Sequence, residues 1–181
     1  MMPELSLNIL DVAENSVRAE ASLIEISIEE DATADLLKII ISDNGHGMDQ
    51  LTAEKVTDPF YTTRTTRRVG LGLPFFRMAA ELTGGDLSIT SKPGEGASVV
   101  ASFGLSHIDR MPLGDINGTI ATLIHCNPEI DFIYNHMVDG KELRLDTREF
   151  REILGDIPLN TPEVAEFINQ YLKENSQELY I

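Results

Sequence analysis

Four short segments of this chain hold residue types at spacings suited to chemistry. Asn8, Asp11 and Asn15 make one polar stripe when placed on a helix. The Asp11/Asn15 pair, four residues apart, sets two oxygens on one face, which suits a hard Mg²⁺ ion or a positioned water. The same stripe also reads as a solvated helix border. Asp43-Asn44-Gly45-His46-Gly47-Met48 follows an apolar run. A carboxylate at a strand end can accept a hydrogen bond from an exocyclic amine. The glycines let backbone approach a ligand closely and let the following loop hinge. The alternative is an ordinary Asp-Asn-Gly turn. Gly70-Leu71-Gly72-Leu73-Pro74 opens a helical pattern. Glycines ahead of a helix N-terminus free backbone N–H groups for phosphate, with help from the helix dipole. Gly94-x-Gly96 lies between two strand patterns and by itself is a turn.

The elements that must position these residues are legible in the hydrophobic pattern. Over Leu5–Ala19, residues Leu5, Ile9, Val12, Ala13 and Ser16 share one helical face, bordered by Asn8, Asp11 and Asn15. Leu23–Glu29 alternates Ile24, Ile26 and Ile28 against Glu25, Ser27 and Glu29, and with Leu36–Ser42 it predicts a hairpin. Residues 43–70 lack a sustained period and read as a long mobile loop, of which 45–70 would form a lid that orders on a ligand. Leu73–Leu82 predicts a helix, with Pro74 tolerated in the first turn and Gly84-Gly85 as its stop. Asp86–Ser91 and Ala97–Phe103 predict strands. Antiparallel strands with helices on one face make an α/β two-layer sandwich over residues 1–106. Residues 107–181 read as a small α+β extension of unknown role. It holds helices over Leu113–Cys126, Thr147–Leu154 and Pro162–Lys173, the last with Thr161 as N-cap. Strands Ile130–Met137 and Glu142–Leu145 flank Asp139-Gly140. Whether this extension folds alone or packs on the first sheet is open at this level.

Composition narrows the function. The chain has 181 residues with 14 basic and 30 acidic side chains, a net charge of −16 shared evenly between residues 1–103 and 104–181. Such a surface repels nucleic acid and anionic membrane. A phosphate site must then rest on Mg²⁺, backbone amides or a few local arginines, with Arg64, Arg67 and Arg68 as candidates beside the reading of a solvated loop. No apolar run is long enough to span a membrane, and the start lacks a signal-peptide core. The single cysteine, Cys126, excludes an intramolecular disulfide and fits a reducing, cytoplasmic setting. His107, His125 and His136 with Cys126 are too irregularly spaced for a metal site.

Taken in order, the segments resemble the GHKL ATPase superfamily, which holds gyrase, the large heat-shock chaperone, histidine kinases and MutL. Asp11-x-x-x-Asn15 resembles the N box, Asp43-x-Gly45-x-Gly47 the first glycine box, and Asp58-Pro59-Phe60-Tyr61 the F box of histidine kinases. Gly70-Leu71-Gly72-Leu73 resembles the second glycine box and Lys92-Pro93-Gly94-Glu95-Gly96 the last. The short interval between glycine boxes and the F box make histidine kinases the nearest flavour. The resemblance implies a Bergerat-type ATP site. Asn15 would ligate the Mg²⁺ that bridges the phosphates, and Asp43 would accept from the adenine amino group. Gly45 and Gly47 would shape the pocket wall, and Gly70, Leu71 and Gly72 would meet the phosphates.

The departures also carry meaning. Asp11 stands where gyrase and MutL have a general-base glutamate, Arg68 replaces a glycine, and Ala97 replaces a common threonine. These changes bear on hydrolysis more than on binding. A strand that often precedes the N box and the histidine-kinase phosphoacceptor domain both find no room in the four residues before Leu5. The expectation is a stand-alone, kinase-like protein that passes phosphate from MgATP to a separate partner protein, without autophosphorylation, resembling the anti-sigma-factor serine kinases. The rivals are an ATP-gated binding module and a slow ATPase in which Asp11 activates water.

Overall fold

The computed structural model describes residues 3–58 and 72–181. Helix α1 (Leu5–Arg18) leads into an antiparallel hairpin of β1 (Leu23–Asp31) and β2 (Leu36–Asp43). A short helix α2 (Gln50–Lys55) follows, then α3 (Gly72–Glu81) and a second hairpin, β3 (Leu87–Lys92) and β4 (Gly96–Gly104). The chain continues through α4 (Ile116–Cys126), β5 (Asp131–Val138), β6 (Lys141–Asp146), α5 (Thr147–Leu154) and α6 (Pro162–Glu178). The architecture is the expected α/β sandwich, with the strands in the order β3-β4-β2-β1-β5-β6.

One face of this sheet forms the core. The odd-even alternation of β1 buries Ile24, Ile26 and Ile28, and their register neighbours Ile39, Ile41, Phe132, Tyr134 and His136 point the same way. Each fully buried isoleucine contributes about 1.5–3 kcal/mol by leaving water. The helices α1, α3, α4 and α6 pack in sequence over this face, α1 against both α3 and α4, and α4 against α6. Leu5, Ile9, Val12 and Ala13 of α1 are buried there with Phe76 and Ala80 of α3.

The extension is continuous with the sheet. β5 runs parallel to β1, from Leu23 opposite Asp131 to Glu30 opposite Val138, and β6 pairs with β5 antiparallel. The link is also made at α1. Its N-cap residue Glu4 makes no side-chain capping bond; instead the amides of Leu5 and Ser6 donate to the carbonyls of Pro112 and Leu113 at 2.9 Å each. The backbone ahead of α4 thus satisfies donors that a helix end leaves orphaned.

Three local expectations need correction. The interval after Asp43 is not loop throughout, because α2 forms where Asp49 caps it, accepting from the Thr52 amide at 2.9 Å. That bond holds the Asp49 carboxyl below its ordinary pKa. Six residues are too few to print a helical period. Thr161 does stand at the N-cap of α6, but its hydroxyl makes no capping bond and, buried, finds no partner among the described residues. Asn8 is not on a solvated border. It is 1% exposed, and neither its Oδ1 nor its Nδ2 has a hydrogen-bond partner among the described residues.

Candidate functional site

The site lies at the end of the central strands, where β2 ends and β4 begins. Asp43 closes β2, opposite Ile24 on one side and Ala97 on the other. Its carboxylate is held from two directions. Ser16, on the inner face of α1, donates its hydroxyl to Oδ2 at 2.6 Å, and the Gly45 amide donates to Oδ1 at 2.8 Å. An ionised carboxylate offers about four lone-pair positions, so capacity remains for a donor from a ligand.

The first glycine loop is clamped on both flanks. Asn44 accepts from the amides of Ser22 and Leu23 at 2.9 Å each, and the His46 amide donates to the Ala19 carbonyl at 2.8 Å. On the other flank the Gly94 amide donates to the His46 carbonyl at 2.7 Å, and the Met48 amide to the Ser91 hydroxyl at 2.9 Å. Glycine is required here for space. A Cβ on Gly45 would stand 2.6 Å from the Ala19 carbonyl oxygen, and one on Gly47 (φ +65°) would overlap the Lys92 carbonyl. One on Gly96 would overlap the carbonyl of Asp43 itself. The last glycine box, at the β3–β4 turn, is therefore packed on the first.

The N-box helix completes the arrangement. Asn15 is exposed, and its Oδ1 accepts from Arg18 Nη1 at 3.1 Å. Asn15 is the neighbour of Ser16, the residue that braces the Asp43 carboxylate. One turn earlier, Asp11 lies against the start of α3, where a Cβ on Gly72 would come within 2.7 Å of Asp11 Oδ2. The fold therefore brings Asp11, Asn15, Asp43, Gly45, Gly47 and Gly72 to one end of the molecule. Gly70, Leu71, the Pro59-Phe60-Tyr61 part of the F box, and Arg64, Arg67 and Arg68 lie outside the described residues. Asp58 itself is described, just after α2.

Sequence reasoning passed over Ser16 as a member of the site. Its signal was present, since a lone hydroxyl on an apolar helical stripe must find a partner when buried. It also passed over Asn44 and Ser91, whose side chains hold the glycine loop to its neighbours.

The donor set fits MgATP. Among the described residues no group of three or more His, Cys, Asp or Glu side chains could hold a metal ion. A cation here would take most of its ligands from the phosphates and water, as Mg²⁺ commonly does. The glycine turns pack on one another and fix the end of β2, and Asp43 keeps acceptor capacity for an amine.

A strand-end aspartate braced by a helix hydroxyl, with interlocked glycine turns at the strand ends of a helix-backed sheet, defines the Bergerat-type class of ATP-binding folds. Residues 3–107 match the family described as histidine kinase-, DNA gyrase B-, and HSP90-like ATPases, and the chain belongs to that family. It is 36% identical over 108 residues to the sensor protein kinase FleS of Pseudomonas aeruginosa, covering 60% of this chain and 26% of that protein. It is 34% identical over 99 residues to the signal transduction histidine-protein kinase AtoS of Escherichia coli, covering 54% of this chain and 16% of that one. The chain thus spans a quarter or less, in round terms, of these kinases. Among solved structures, the N-terminal domain of a DNA repair protein shares the fold with a TM-score of 0.57 at 18% identity, over 80% of this chain and 53% of that one. That coverage exceeds residues 3–107, so the likeness in fold reaches into the extension. No described helix is long and apolar enough to cross a membrane.

Proposed function

We propose that residues 1–106 bind MgATP and pass its terminal phosphate to a separate partner protein, with residues 107–181 as an extension of that domain. The observation that carries the reading is the double brace on Asp43, by Ser16 and Gly45, beside the interlocked glycine turns. A carboxylate so fixed accepts from the adenine amino group, where guanine would present a carbonyl. Two facing acceptors leave buried polar groups unpaired, which costs about 1–3 kcal/mol. Asn15 would give up its bond to Arg18 and offer its amide oxygen to Mg²⁺. Gly45 and Gly47 would line the pocket, and Gly70, Leu71 and Gly72 would turn amides toward the phosphates at the start of α3. When bound, the cation neutralises phosphate charge that the chain's own acidic surface cannot.

A second reading draws on the position of Asp11. Its carboxylate lies against Gly72, one turn from Asn15, and would serve as a base beside the phosphates. That suits a slow ATPase, with Asp11 orienting water. Radiolabelled ATP with a cell extract separates these readings. A labelled partner supports transfer, and release of phosphate that Asp11→Asn abolishes supports hydrolysis. Binding without either product leaves an ATP-gated binding module.

A further inference from the structure

We propose that the apolar face shared by α5 and α6 is a docking site for an amphipathic helix with a basic polar side, carried by a partner protein. The sequence of α5 places Phe150, Ile153 and Leu154 at i, i+3 and i+4, one helical face. That face is only partly spent on the core. Phe150 and Leu154 are half-buried, Ile153 is 84% exposed, and Ile157 just beyond the helix is 52% exposed. On α6 the core takes Val164, Ile168 and Leu172, while Phe167 stays 56% exposed beside Tyr171. The Phe150 ring meets both Phe167 and Tyr171 edge-on, with centroids 5.9 and 6.0 Å apart, which joins the two helices into one apolar strip.

The strip is rigidly mounted. Arg151 donates to Asp131 at 2.7 Å and to the carbonyls of Pro128 and Ile130, and Tyr171 donates to the Arg144 carbonyl at 2.8 Å. A surface already ordered loses little entropy on binding. Side chains displayed at helical spacing on two adjacent helices offer ridges and grooves that a third helix can fill.

Charge selects the occupant. Every arginine of this region is committed: Arg144 to Asp146 and Glu149, Arg148 to Asp146, and Arg151 to Asp131. The exposed acids Glu152, Asp156, Glu163 and Glu166 have no hydrogen bond or ion pair among the described residues. Glu149 and Glu152 flank Ile153 on α5, and Glu163 and Glu166 flank Phe167 on α6. An apolar strip flanked by more acids than cations, with Glu152, Asp156, Glu163 and Glu166 unpaired among the described residues, favours a basic helix. It disfavours a second copy of this chain, whose net charge is −16, and an anionic membrane.

The strip also lies toward the nucleotide end. Thr147, the first residue of α5, accepts from the Phe132 amide at 2.8 Å, and Phe132 is aligned with Ile24, the partner of Asp43. A helix docked there would stand at the same end of the strands as the candidate ATP site. The inference does not rest on ATP chemistry, and its test needs no nucleotide.

The test selects helix-forming peptides from a displayed library against the whole protein, then measures them against two double variants. The expected peptides carry apolar residues at i, i+3 or i+4, and i+7, with an excess of Lys and Arg. Ile153→Asp with Phe167→Asp should weaken them by at least about tenfold, and Glu152→Lys with Glu166→Lys by several-fold, with binding also falling as salt rises. The charge reversal touches exposed side chains, unpaired among the described residues, and should melt like the parent, whereas Phe167→Asp also gives up the ring contact with Phe150 and should lower the melting temperature; should the first variant not fold, the charge reversal decides. Peptides that bind both variants as well as the parent would overturn the proposal, as would recovery of acidic peptides or none. Concentration-dependent dimerisation of the parent that Ile153→Asp with Phe167→Asp abolishes would assign the face to a second copy instead. Flotation of the parent but not that variant with phosphatidylglycerol vesicles would assign it to lipid, and either result would sink the basic-helix reading.

Discussion

The two halves of the sheet use buried polar groups in opposite ways. At the β2–β4 end, the Asp43 carboxylate takes one donor on each oxygen and keeps capacity to spare. At the β5–β6 end, polar groups are consumed internally. Asp146, 4% exposed, accepts from Arg144 and Arg148 and also from the Arg148 amide at the start of α5. His136 Nε2 lies 2.8 Å from the Glu30 carboxylate and its Nδ1 3.2 Å from the Tyr134 hydroxyl, while Tyr180 donates to the same Glu30 oxygen at 2.6 Å. Both ends therefore hold a fixed carboxylate. Between Asp43 and Asp146 the difference is unused hydrogen-bonding capacity, since Asp146 takes four donors and Asp43 two.

The largest break in this comparison should come from Gly47→Ala. The added methyl would overlap the Lys92 carbonyl at a φ of +65°, so the turn must move. We expect loss of about 1–3 kcal/mol from the strained conformation alone, together with loss of ATP binding, measured by urea unfolding and calorimetry. Gly94→Ala is the control. Its φ is +78° but nothing lies within 4 Å of a new Cβ, so only the conformational cost of about 1 kcal/mol should appear.

Asp43→Ala tests the open-capacity side. ATP should be preferred over GTP by at least about tenfold in the parent, and the variant should lose most ATP affinity and most of that preference. If Asp43 merely braces the turn, the melting temperature will fall and the ATP/GTP ratio will stay.

Asp146→Asn tests the saturated side. Hydrogen bonds from Arg148 hold the Asp146 carboxyl below its ordinary pKa against the opposing effect of burial, with the Arg148 and Arg144 charges adding to them. A carboxylate depressed in the folded state stabilises above its unfolded pKa, near 3.9, and that contribution fades as pH falls through the lower folded value. At pH 7 the variant should lose about 1.5–3 kcal/mol, the worth of hydrogen bonds to a charged group. The gap between parent and variant should close in acid, and ATP affinity at neutral pH should not change.

The smallest effect is expected from Tyr180→Phe. Burial first, then its bond to the Glu30 carboxylate and that group's charge, push the Tyr180 hydroxyl above its ordinary pKa. Removing it should cost about 0.5–1.5 kcal/mol for one hydrogen bond. Nucleotide binding should remain as in the parent, measured on the same calorimetric scale.

Much of this molecule was legible before folding was considered. The period of 3.6 in Leu5–Arg18 and the period of 2 in Leu23–Glu29 are local, because a single face of each element is buried and the pattern records which one. The glycine boxes were legible for a similar reason: a backbone that must pass close to another excludes every side chain, and Gly45, Gly47 and Gly96 all show that contact. Other features could be decided only in three dimensions. No run of residues announces that β5 will lie parallel to β1, since that pairing joins segments about a hundred residues apart through main-chain bonds common to every sequence. Ser16 and Asp43 are 27 residues apart and meet only because α1 packs on β2. Asn8, polar and on the border of its helix by spacing, was buried by neighbours that its own segment does not contain. Period and excluded volume are properties of one stretch of chain and are written there. The partner of a side chain, and whether any of its hydrogen-bonding capacity is left for a ligand, depends on which distant stretch the fold brings to it.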